Sequence, residues 1–586
     1  MINIKINNFP VSVPEGSTIL EAARLVKIQI PTLCYMKEIN AIGACRICVV
    51  EVKGAPTLVA ACVYPVTEGM EIFTDTPAVF KARRLTLELI LSTHNKECLT
   101  CVRSDNCELQ TLCHTFKVDD ENYFEGYMPD RTIDDSAVHM FRDNNKCILC
   151  RRCIAACAVW QGIGVIGANE RGFDTHVACA FDLPLDAVTC VSCGQCITVC
   201  PTGAIAEKDN SGDVWDALAD PDKHVVVQTA PSIRATLGEA FGYPVGTDVT
   251  GKMVAALRRL GFDRVFDTDL AADMTIVEES HELIDRIKNG GVLPLLSSCS
   301  PGWIKYCEYY YPDLIPNLSS CKSPQQMLGA TIKTWYAEKM GWDPADIFVV
   351  GIMPCTAKKF EVKRSDEDAA GVADVDVALT TRELARMIER AGILFRELPD
   401  EDFDNPMGDS TGASVIFGTT GGVMEAALRT AAEWISGETA EKVDFVEVRG
   451  YKGMREATYE IGGLAVKVLA VSGLADVRGV MDKIRAGEAD YHFIEVMACP
   501  GGCINGGGQP VQSAYVRNNV DLISKRAEVL YKADKDKPLR KSHENPALLK
   551  IYSEYFGDFG SEKAHKVLHT TYEDRTSGFF LDQKAR

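Results

Sequence analysis

The first 78 residues alternate apolar and polar positions in a way that predicts two strands and one helix. INIKI at residues 2–6 has the period of two that is typical of a half-buried strand, and VSVPEG follows as a second strand and a turn. Thr18 and Glu21 have the spacing of a capping box before the apolar helix ILEAARLV. A strand hairpin followed by a helix predicts a small α+β domain over residues 1–78.

Beyond residue 208, buried strands alternate with amphipathic helices. HVVVQT and DIFVVGIM are almost continuous apolar runs, and TTRELARMIERAGI has helical spacing. A turn at Ala230–Pro231 and then another helix are expected after the first of these strands. The alternation predicts α/β architecture for residues 209–586. The last part, KPLRKSHENPALLKIYSEYFG, predicts turns and short helices that wrap around a larger body.

Charge and hydropathy argue against several classes of function. The net charge of −20 argues against a nucleic-acid-binding surface, which needs basic patches. No run of 18 uninterrupted apolar residues is present, so no membrane span is expected. The start MINIKINNFP lacks a charged leader followed by an apolar segment, so a cytoplasmic protein is expected. The glycine patterns of dinucleotide sites and P-loops are also missing, so no nucleotide-binding fold is expected.

Cysteine is the residue type that changes this picture, because the chain has 23 of them. Disulfides would be expected of a small secreted protein. This chain has 586 residues and places many of its cysteines in CxxC runs. Metal ligation is therefore the favoured interpretation of the cysteine pattern.

Two cysteine runs with the same spacing give the strongest local signal, CILCRRCIAAC and CVSCGQCITVC within residues 127–208. Each has the spacing C-x2-C-x2-C-x3-C of a two-cluster ferredoxin-like domain with two 4Fe-4S clusters, in which the fourth cysteine of a run ligates the other cluster. The first run continues with Ala158 where this pattern has proline, which leaves the ligation unchanged. The two predicted ligand sets are Cys147, Cys150, Cys153 and Cys200, and Cys157, Cys190, Cys193 and Cys196.

The first two predicted domains each have their own ligand set. The spacing C-x10-C-x2-C-x13-C in residues 1–78 resembles that of a 2Fe-2S ferredoxin-like domain, with zinc as the alternative. Residues 79–126 begin with the helical pattern ARRLTLELILSTH, and then place one histidine and three cysteines at a spacing that suits a 4Fe-4S cluster or zinc. The neighbouring cluster motifs favour iron. The two sets are Cys34, Cys45, Cys48 and Cys62, and His94, Cys98, Cys101 and Cys107.

Four further cysteines lie outside these runs. Cys299 is in LLSSCSPGW, Cys355 is in MPCTAKKFE, and Cys499 and Cys503 are in EVMACPGGCINGG. Their neighbours are proline, glycine and small residues, which let a metal group approach the backbone.

These three segments resemble the motifs of FeFe hydrogenases, TSCCPxW, MPCxxKxxE and ExMxCxxGCxxG. Together with the four cluster motifs, the whole chain resembles the multi-cluster clostridial type and the catalytic subunits of NAD(P)-linked hydrogenase complexes. The resemblance implies a β-grasp 2Fe-2S domain, a 4Fe-4S domain with one histidine and three cysteine ligands, a ferredoxin-like domain with two 4Fe-4S clusters, and a large α/β catalytic domain with a small-subunit-like C-terminal wrap. It implies reversible oxidation of H2 at an H-cluster, a 4Fe-4S cube linked to a di-iron subsite with CO, cyanide and a dithiolate amine.

The resemblance also implies roles for individual residues. Cys355, Cys499 and Cys503 would ligate the cube, and Lys358 would donate a hydrogen bond to a cyanide ligand. Pro231 and Ser232 would lie near the other cyanide. Met353 and Met497 would pack around the irons.

A candidate proton path lies in TIVEESHELIDRIK. Glu279, Glu282 and Arg286 share one stripe of the predicted helix, which taken alone indicates a solvated face with a Glu282–Arg286 ion pair. The resemblance instead implies that Glu279, Glu282 and Ser319 carry protons to the site.

The segment SSCSP departs from the family pattern, which has two adjacent cysteines. Without a gap, Cys299 stands at the proton-relay position and Ser300 at the position of a cube ligand. In the alternative, Cys299 ligates the cube and the Ser300 hydroxyl helps to pass protons. Thiolates form far more readily than alkoxides near neutral pH, which favours Cys299 as the ligand.

Other functions remain open at this level. The first 208 residues also resemble the large iron–sulfur subunit of respiratory complex I, so a pure electron-relay subunit is one alternative. A non-catalytic hydrogen sensor or an iron–sulfur assembly factor is another. For a hydrogenase, ferredoxin is the simplest electron partner, NAD(P) reduction would need a diaphorase subunit, and maturation enzymes would build the di-iron subsite.

Overall fold

The computed structural model describes residues 1–118, 124, 130–131, 133–439, 443–450 and 453–576. The predicted boundary between the second and third domains, at residues 126 and 127, lies outside this part of the chain. Across the described ranges, no helix has both the length and the apolar character that crossing a membrane requires.

The N-terminal domain is a five-stranded mixed sheet with one helix packed on it. The strand order is β2-β1-β5-β3-β4, with β1 and β5 parallel and the other pairs antiparallel. Both hydrogen bonds of the predicted capping box at Thr18 and Glu21 are present. This topology confirms the predicted β-grasp domain. Its elements are β1 (Ile2–Ile6), β2 (Phe9–Val13), α1 (Ile19–Leu25), β3 (Val49–Val52), β4 (Val59–Ala60) and β5 (Glu71–Phe73).

Two helices, α2 (Pro77–Leu91) and α3 (Glu108–Thr115), follow the sheet. Helix α2 begins where the Thr76 hydroxyl accepts a hydrogen bond from the Val79 amide and Pro77 occupies the first turn. Leu87 and Leu109 pack with Leu33 and Ile47 of the first domain. A shared apolar cluster therefore joins the second unit to the first.

The ferredoxin-like unit contains a short three-stranded sheet, β10-β7-β6, and a hairpin, β8–β9. Each cysteine run bends through two residues with positive φ, Leu149 and Arg151 in the first and Ser192 and Gly194 in the second. Repeated left-handed residues turn the chain around a common centre, as a cluster site requires. The elements are β6 (Ile133–Asp134), β7 (Met140–Asp143), α4 (Arg152–Ala155), β8 (Ile166–Asn169), β9 (His176–Cys179), α5 (Gln195–Val199) and β10 (Ile205–Glu207).

The domain predicted to be catalytic, here called the catalytic body, contains two four-stranded sheets with the orders β12-β11-β14-β15 and β13-β18-β17-β16. All strands of the first sheet are parallel, and only β16 is antiparallel in the second. The predicted α/β architecture is confirmed. The strands are β11 (His224–Thr229), β12 (Arg264–Asp267), β13 (Leu295–Leu296), β14 (Ile347–Met353), β15 (Val377–Thr380), β16 (Met454–Ile461), β17 (Leu464–Ser472) and β18 (Phe493–Met497).

Helices cover both sheets, and the C-terminal ones lie across the body. Arg526 bonds to Glu239, and Arg429 bonds to Asp534, which ties this segment down through buried ion pairs. The helices are α6 (Ser211–Ala219), α7 (Thr250–Leu260), α8 (Asp269–Asn289), α9 (Pro301–Tyr310), α10 (Pro324–Thr331), α11 (Ala337–Met340), α12 (Ala357–Glu361), α13 (Thr381–Arg390), α14 (Gly412–Val415), α15 (Gly422–Ser436), α16 (Leu474–Arg485), α17 (Ala514–Asn519), α18 (Leu522–Asp536), α19 (Pro546–Ile551) and α20 (Glu562–Leu568).

The helix predicted directly after Pro231 is wrong. The chain makes successive turns and only a 3₁₀ segment, Leu237–Phe241. The Thr236 hydroxyl lies 3.0 Å from the Ser232 carbonyl and 2.7 Å from the Gln509 side-chain oxygen. The buried contact to Gln509 is tertiary, and such contacts override the local helical pattern.

Candidate active site and cluster sites

The loops after four parallel strands meet at one cavity. Ala230–Ser232 follow β11, Pro354–Cys355 follow β14, and Ala498–Cys499 follow β18. Cys299–Pro301 come after β13, with two residues between them and the end of that strand. Carboxyl ends of parallel strands form the usual ligand site of open α/β sheets. The predicted Met353 and Met497 also line this cavity.

Three thiols converge there from two distant segments. Cys355, Cys499 and Cys503 all line the cavity, and burial is the main reason that the pKa of each is raised. The negative charge on Cys355 then raises the pKa of Cys499 further, to about 12, and that of Cys503 as well. Three buried thiolates this close repel one another unless a metal group neutralises them.

The donor set fits an iron–sulfur group. Thiolates and thioethers are soft ligands that select such clusters, and none of the described residues that line the cavity is Asp or Glu. Glycines bring the backbone close: a Cβ on Gly506 would lie 2.3 Å from the Pro354 carbonyl oxygen. The loops could not pack in this way with larger residues at that position.

Cys299 and Ser300 are neighbours with different surroundings. Cys299 and Cys503 pack against the same apolar cluster, and the pKa of Cys299 is raised by burial first and by the Glu279 carboxylate next. The Ser300 hydroxyl oxygen accepts a hydrogen bond from the Ala498 amide at 3.3 Å, directly before Cys499. Both residues line the cavity, but Glu279 acts on Cys299 while Ser300 is bonded to the Ala498 amide.

Lys358 lines the cavity and is buried. Its Nζ donates to the Ser323 hydroxyl and to Glu361 Oε2, at 2.7 Å each. Gln325 Nε2 donates to the same carboxylate at 3.0 Å. This network fixes the ammonium at the cavity wall, which suits a positive donor toward an anionic ligand.

Sequence reasoning missed Gln325, Ser323, Glu361 and Glu495. Gln325 lines the cavity, and its Oε1 has no hydrogen-bond partner in the described part of the chain. Glu361 is the last residue of MPCTAKKFE, and Glu495 is the first of EVMAC, so both motifs carried a signal. Glu495 accepts hydrogen bonds from the Gly421 and Met424 amides and thereby anchors the start of α15.

The candidate proton path follows helix α8. Glu279 is buried, and burial, followed by the Glu282 charge, raises its pKa to about 8. Ser319 donates to Glu282 Oε2 at 2.9 Å, and Arg286 donates to Glu282 Oε1 at 2.6 Å. The expected ion pair is therefore present. A solvated face is wrong for this stripe, since the Glu282 and Arg286 side chains are each only 15% exposed.

The four N-terminal cysteines lie together. Contact with the Cys45 and Cys62 thiols lowers the pKa of Cys34, and the Cys48 and Cys62 sulfurs are 3.4 Å apart. The structure thus brings together all four residues that the spacing assigned to the 2Fe-2S site.

The second site contains His94, whose Nδ1 is buried without a partner among the described residues. Burial lowers the pKa of this histidine to about 4, so the ring is neutral, the form in which imidazole binds metals. Burial raises the pKa of Cys107, and the nearby Cys101 raises it further. Burial also raises the pKa of Cys113, and Cys107 and Cys98 raise it further, so the thiols of this domain lie near one another. An orphaned imidazole nitrogen fits a ligand role for His94.

The ferredoxin-like unit brings its eight cysteines together in the two predicted sets. One small cavity is lined by Cys147, Cys150, Cys153 and Cys200. Another is lined by Cys157, Cys190, Cys193 and Cys196. The crossed arrangement predicted from the spacing is therefore the one that the fold brings together.

The second of these cavities adjoins the catalytic one. Cys193 lines both. Thr356 donates to the Ser192 carbonyl at 2.7 Å, and a Cβ on Gly507 would lie 2.1 Å from the Cys193 carbonyl oxygen. The ferredoxin-like unit is thus packed directly against the loops of the active site.

Comparison with known proteins agrees with this architecture. Residues 223–507 match the model for the C-terminal domain of the iron-only hydrogenase large subunit, and residues 520–575 match the iron hydrogenase small subunit. The chain is 50% identical to the NADP-reducing hydrogenase subunit HndD of Solidesulfovibrio fructosivorans, covering 98% of this chain and 99% of that protein. The chain belongs to the iron-only, or FeFe, hydrogenase family. It is therefore an enzyme that oxidises H2 or reduces protons.

Other matches extend this assignment. Iron hydrogenase 1 of Clostridium pasteurianum is 42% identical over 98% of this chain and 100% of its own length. The solved structure of an apo variant of the FeFe hydrogenase HydA1 of Chlamydomonas reinhardtii is 40% identical, with a TM-score of 0.56, and covers 63% of this chain and 99% of its own. The accessory regions match a 2Fe-2S cluster-binding domain (1–77), an NADH-ubiquinone oxidoreductase-G iron–sulfur region (83–122) and a 4Fe-4S dicluster domain (146–204). The predicted family and fold class are confirmed.

His94→Ala should remove one cluster ligand while leaving the active site intact. We expect one accessory EPR signal to change and electron exchange with an external acceptor to slow, because only the second domain loses a donor. The carbonyl and cyanide infrared bands should not move. His114→Ala, an exposed histidine of α3, is the control. Unchanged EPR signals in the His94→Ala variant would mean that His94 is an ordinary buried histidine and not a ligand.

Glu279→Gln keeps the size of the side chain but removes its ability to titrate. We expect turnover to fall by about 10²-fold or more, the usual contribution of a positioned proton-transfer group. The infrared bands of the active site should persist. Asp285→Asn, an exposed position of the same helix, should retain full turnover. Turnover of the Glu279 variant near that of the wild type would exclude this residue from the proton path.

Proposed function

We propose that the chain catalyses reversible oxidation of H2 at an H-cluster held by Cys355, Cys499 and Cys503. When bound, this group supplies the iron atoms at which H2 is split or formed. The observation that carries the proposal is the convergence of these three thiols and Lys358 on one apolar cavity whose wall includes Cys193. A cavity that excludes water strengthens the electrostatic effect of the Lys358 ammonium.

The surroundings of the SSCSP segment favour Ser300 as the fourth protein contact of the cube and Cys299 as the proton relay. The Ser300 hydroxyl accepts from the amide directly before Cys499, whereas Cys299 has both Glu279 and Cys503 among the groups that act on it. After burial, Glu279 is the largest cause of the raised pKa of Cys299, so a proton released at the cavity would have a titratable neighbour. This proposal is opposite to the preference from thiol chemistry alone, because it gives more weight to the hydrogen bond of Ser300 and to the influence of Glu279 on Cys299.

Electrons would leave through Cys193 into the ferredoxin-like unit. From there, the route would branch to the cluster sites of the first and second domains. Asn40 Nδ2 donates to the carbonyls of both Cys34 and Cys150, at 2.7 and 3.0 Å, and so joins the first site to the ferredoxin-like unit. A Cβ on Gly203 would lie 2.5 Å from Cys101 Sγ, which places the second site against the same unit. The proposed inventory is one 2Fe-2S cluster, three accessory 4Fe-4S clusters and the H-cluster.

The two sites at the outer ends of this electron route, in the first and second domains, lie beside exposed apolar side chains. Leu99, between Cys98 and Thr100, is 98% exposed, and Val63 follows Cys62. Such side chains suit a transient redox partner. We propose ferredoxin or a diaphorase subunit for this role, the latter supported by the similarity to HndD, whose name makes it a subunit of an NADP-reducing hydrogenase. The cytoplasmic location expected from the sequence stays a prediction.

Iron content tests the cluster inventory. Protein purified without oxygen after coexpression with maturation enzymes should hold about 20 iron atoms per chain and evolve H2. Protein made without those enzymes should lack the di-iron part and all hydrogen turnover. An iron content of about eight in the matured protein would contradict the multi-cluster proposal.

Variants of Ser300 and Cys299 test the fourth contact. Ser300→Cys should shift the EPR signal of the catalytic cube because sulfur replaces oxygen, while Cys299→Ala should keep the iron content and the signal but lose turnover by about 10²-fold or more. Cys307→Ala, at a buried position in α9, is the control and should keep its iron. Loss of the cube in Cys299→Ala with no change in Ser300→Cys would reverse the assignment.

A further inference from the structure

Glu282, at the outer part of the candidate proton path, has two different hydrogen-bonded neighbours. Its Oε1 accepts from Arg286 at 2.6 Å, and its Oε2 accepts from the Ser319 hydroxyl at 2.9 Å and the Ser320 amide at 3.1 Å. A guanidinium does not release its proton in proteins. Arg286 can therefore hold the Glu282 carboxylate in place, but it cannot carry a proton onward.

Ser320 connects Glu282 to a histidine of the C-terminal segment. Its hydroxyl oxygen lies 3.5 Å from Glu282 Oε2 and 2.8 Å from His569 Nδ1. A hydroxyl has one proton and two acceptor lone pairs, so it can take a proton from one side while giving one to the other. Backbone hydrogen bonds hold the segments around Ser320 and His569 together. The Lys322 amide donates to the Leu568 carbonyl, and the Thr570 amide donates to the Ser320 carbonyl.

A buried carboxylate orients the histidine. Glu278 Oε2 lies 3.2 Å from His569 Nε2, and the other Glu278 oxygen accepts from the Tyr552 hydroxyl at 2.6 Å. This arrangement favours a proton on Nε2, which leaves Nδ1 as the acceptor facing Ser320. An imidazolium formed at His569 would then be stabilised by the Glu278 charge, as in other carboxylate–histidine pairs.

The histidine lies close to the surface. The ring of His565, which is exposed, stacks on that of His569 with centroids 4.2 Å apart and 9° between the planes. The groups that face the pair are Glu278 and Glu282 of α8, Cys321 and Tyr552. The His569 side chain is itself 5% exposed, so this stacked pair is where the imidazole comes within reach of solvent.

We propose that protons pass between Glu282 and solvent through Ser320 and His569, with Glu278 as the residue that positions the imidazole. The inference rests on the proposed hydrogenase function and adds an exit route that Arg286 cannot provide. Each step breaks one O–H or N–H bond and forms another, so no oxidant or reductant is needed. Imidazole suits the task because it exchanges protons readily near neutral pH.

His569→Gln and Ser320→Ala test the route in the full matured chain. Glutamine can keep hydrogen bonds to both neighbours but does not titrate, and alanine removes the hydroxyl link while leaving the His569–Glu278 pair. We expect turnover to fall at least about tenfold in both variants, with iron content and infrared bands as in the wild type. His281→Gln, an exposed histidine of α8, should have wild-type turnover.

Chemical rescue separates proton transfer from a structural role. Added imidazole should restore turnover to His569→Gly but not to Ser320→Ala, because only the first variant has space for it at the proton-carrying position. Wild-type turnover in His569→Gln and Ser320→Ala, measured beside an active wild-type enzyme, would overturn the route alone. A matured wild-type chain without hydrogen turnover would overturn the proposed function and the route together.

Discussion

The structure depends on one electrostatic constraint, the burial of thiols that must be charged to bind a metal. Cys355, Cys499 and Cys503 share a cavity without acidic neighbours among its described lining residues, and burial opposes ionisation of each. Isolated buried charges cost several kcal/mol each, so the thiolates are stable only with a cationic group among them. Parallel strands ending at one edge and glycines that permit close backbone contact are the means by which the fold places these thiols together.

The same need for fixed positions accounts for the buried ion pairs between units. Glu207, at the end of the ferredoxin-like sheet, accepts hydrogen bonds from Arg382 and Arg386 of α13. Breaking such a pair leaves a buried charge unpaired and costs about 3–5 kcal/mol. The pair therefore holds the ferredoxin-like unit against the catalytic body, which keeps Cys193 in the wall of the cavity.

Much of this organisation could be predicted from the sequence, and the limits have physical causes. Cysteine spacing predicted which cysteines lie together because each set lies largely within one short segment, and the crossed grouping of Cys157 and Cys200 follows from a known pattern. Gln325 could not be found in this way, since its role depends on a fold that places α10 beside the cavity. The helix expected after Pro231 failed for the same reason, because the sequence does not show that Gln509 will bond to Thr236 in this segment.

In the proposed scheme, protons and electrons would reach the cavity along separate walls. The electron side is formed by Cys193 and the Thr356 hydrogen bond to Ser192, where backbone contacts are tight and side chains are buried. The proton side begins at Cys299 and Glu279, and continues along α8 to hydroxyl and imidazole groups that the C-terminal segment helps to place. Electron transfer requires short fixed distances, whereas proton transfer requires groups that exchange hydrogen bonds. A cavity between two rigid sheets satisfies the first need, and the less buried outer turns of α8 with the overlying C-terminal helix satisfy the second.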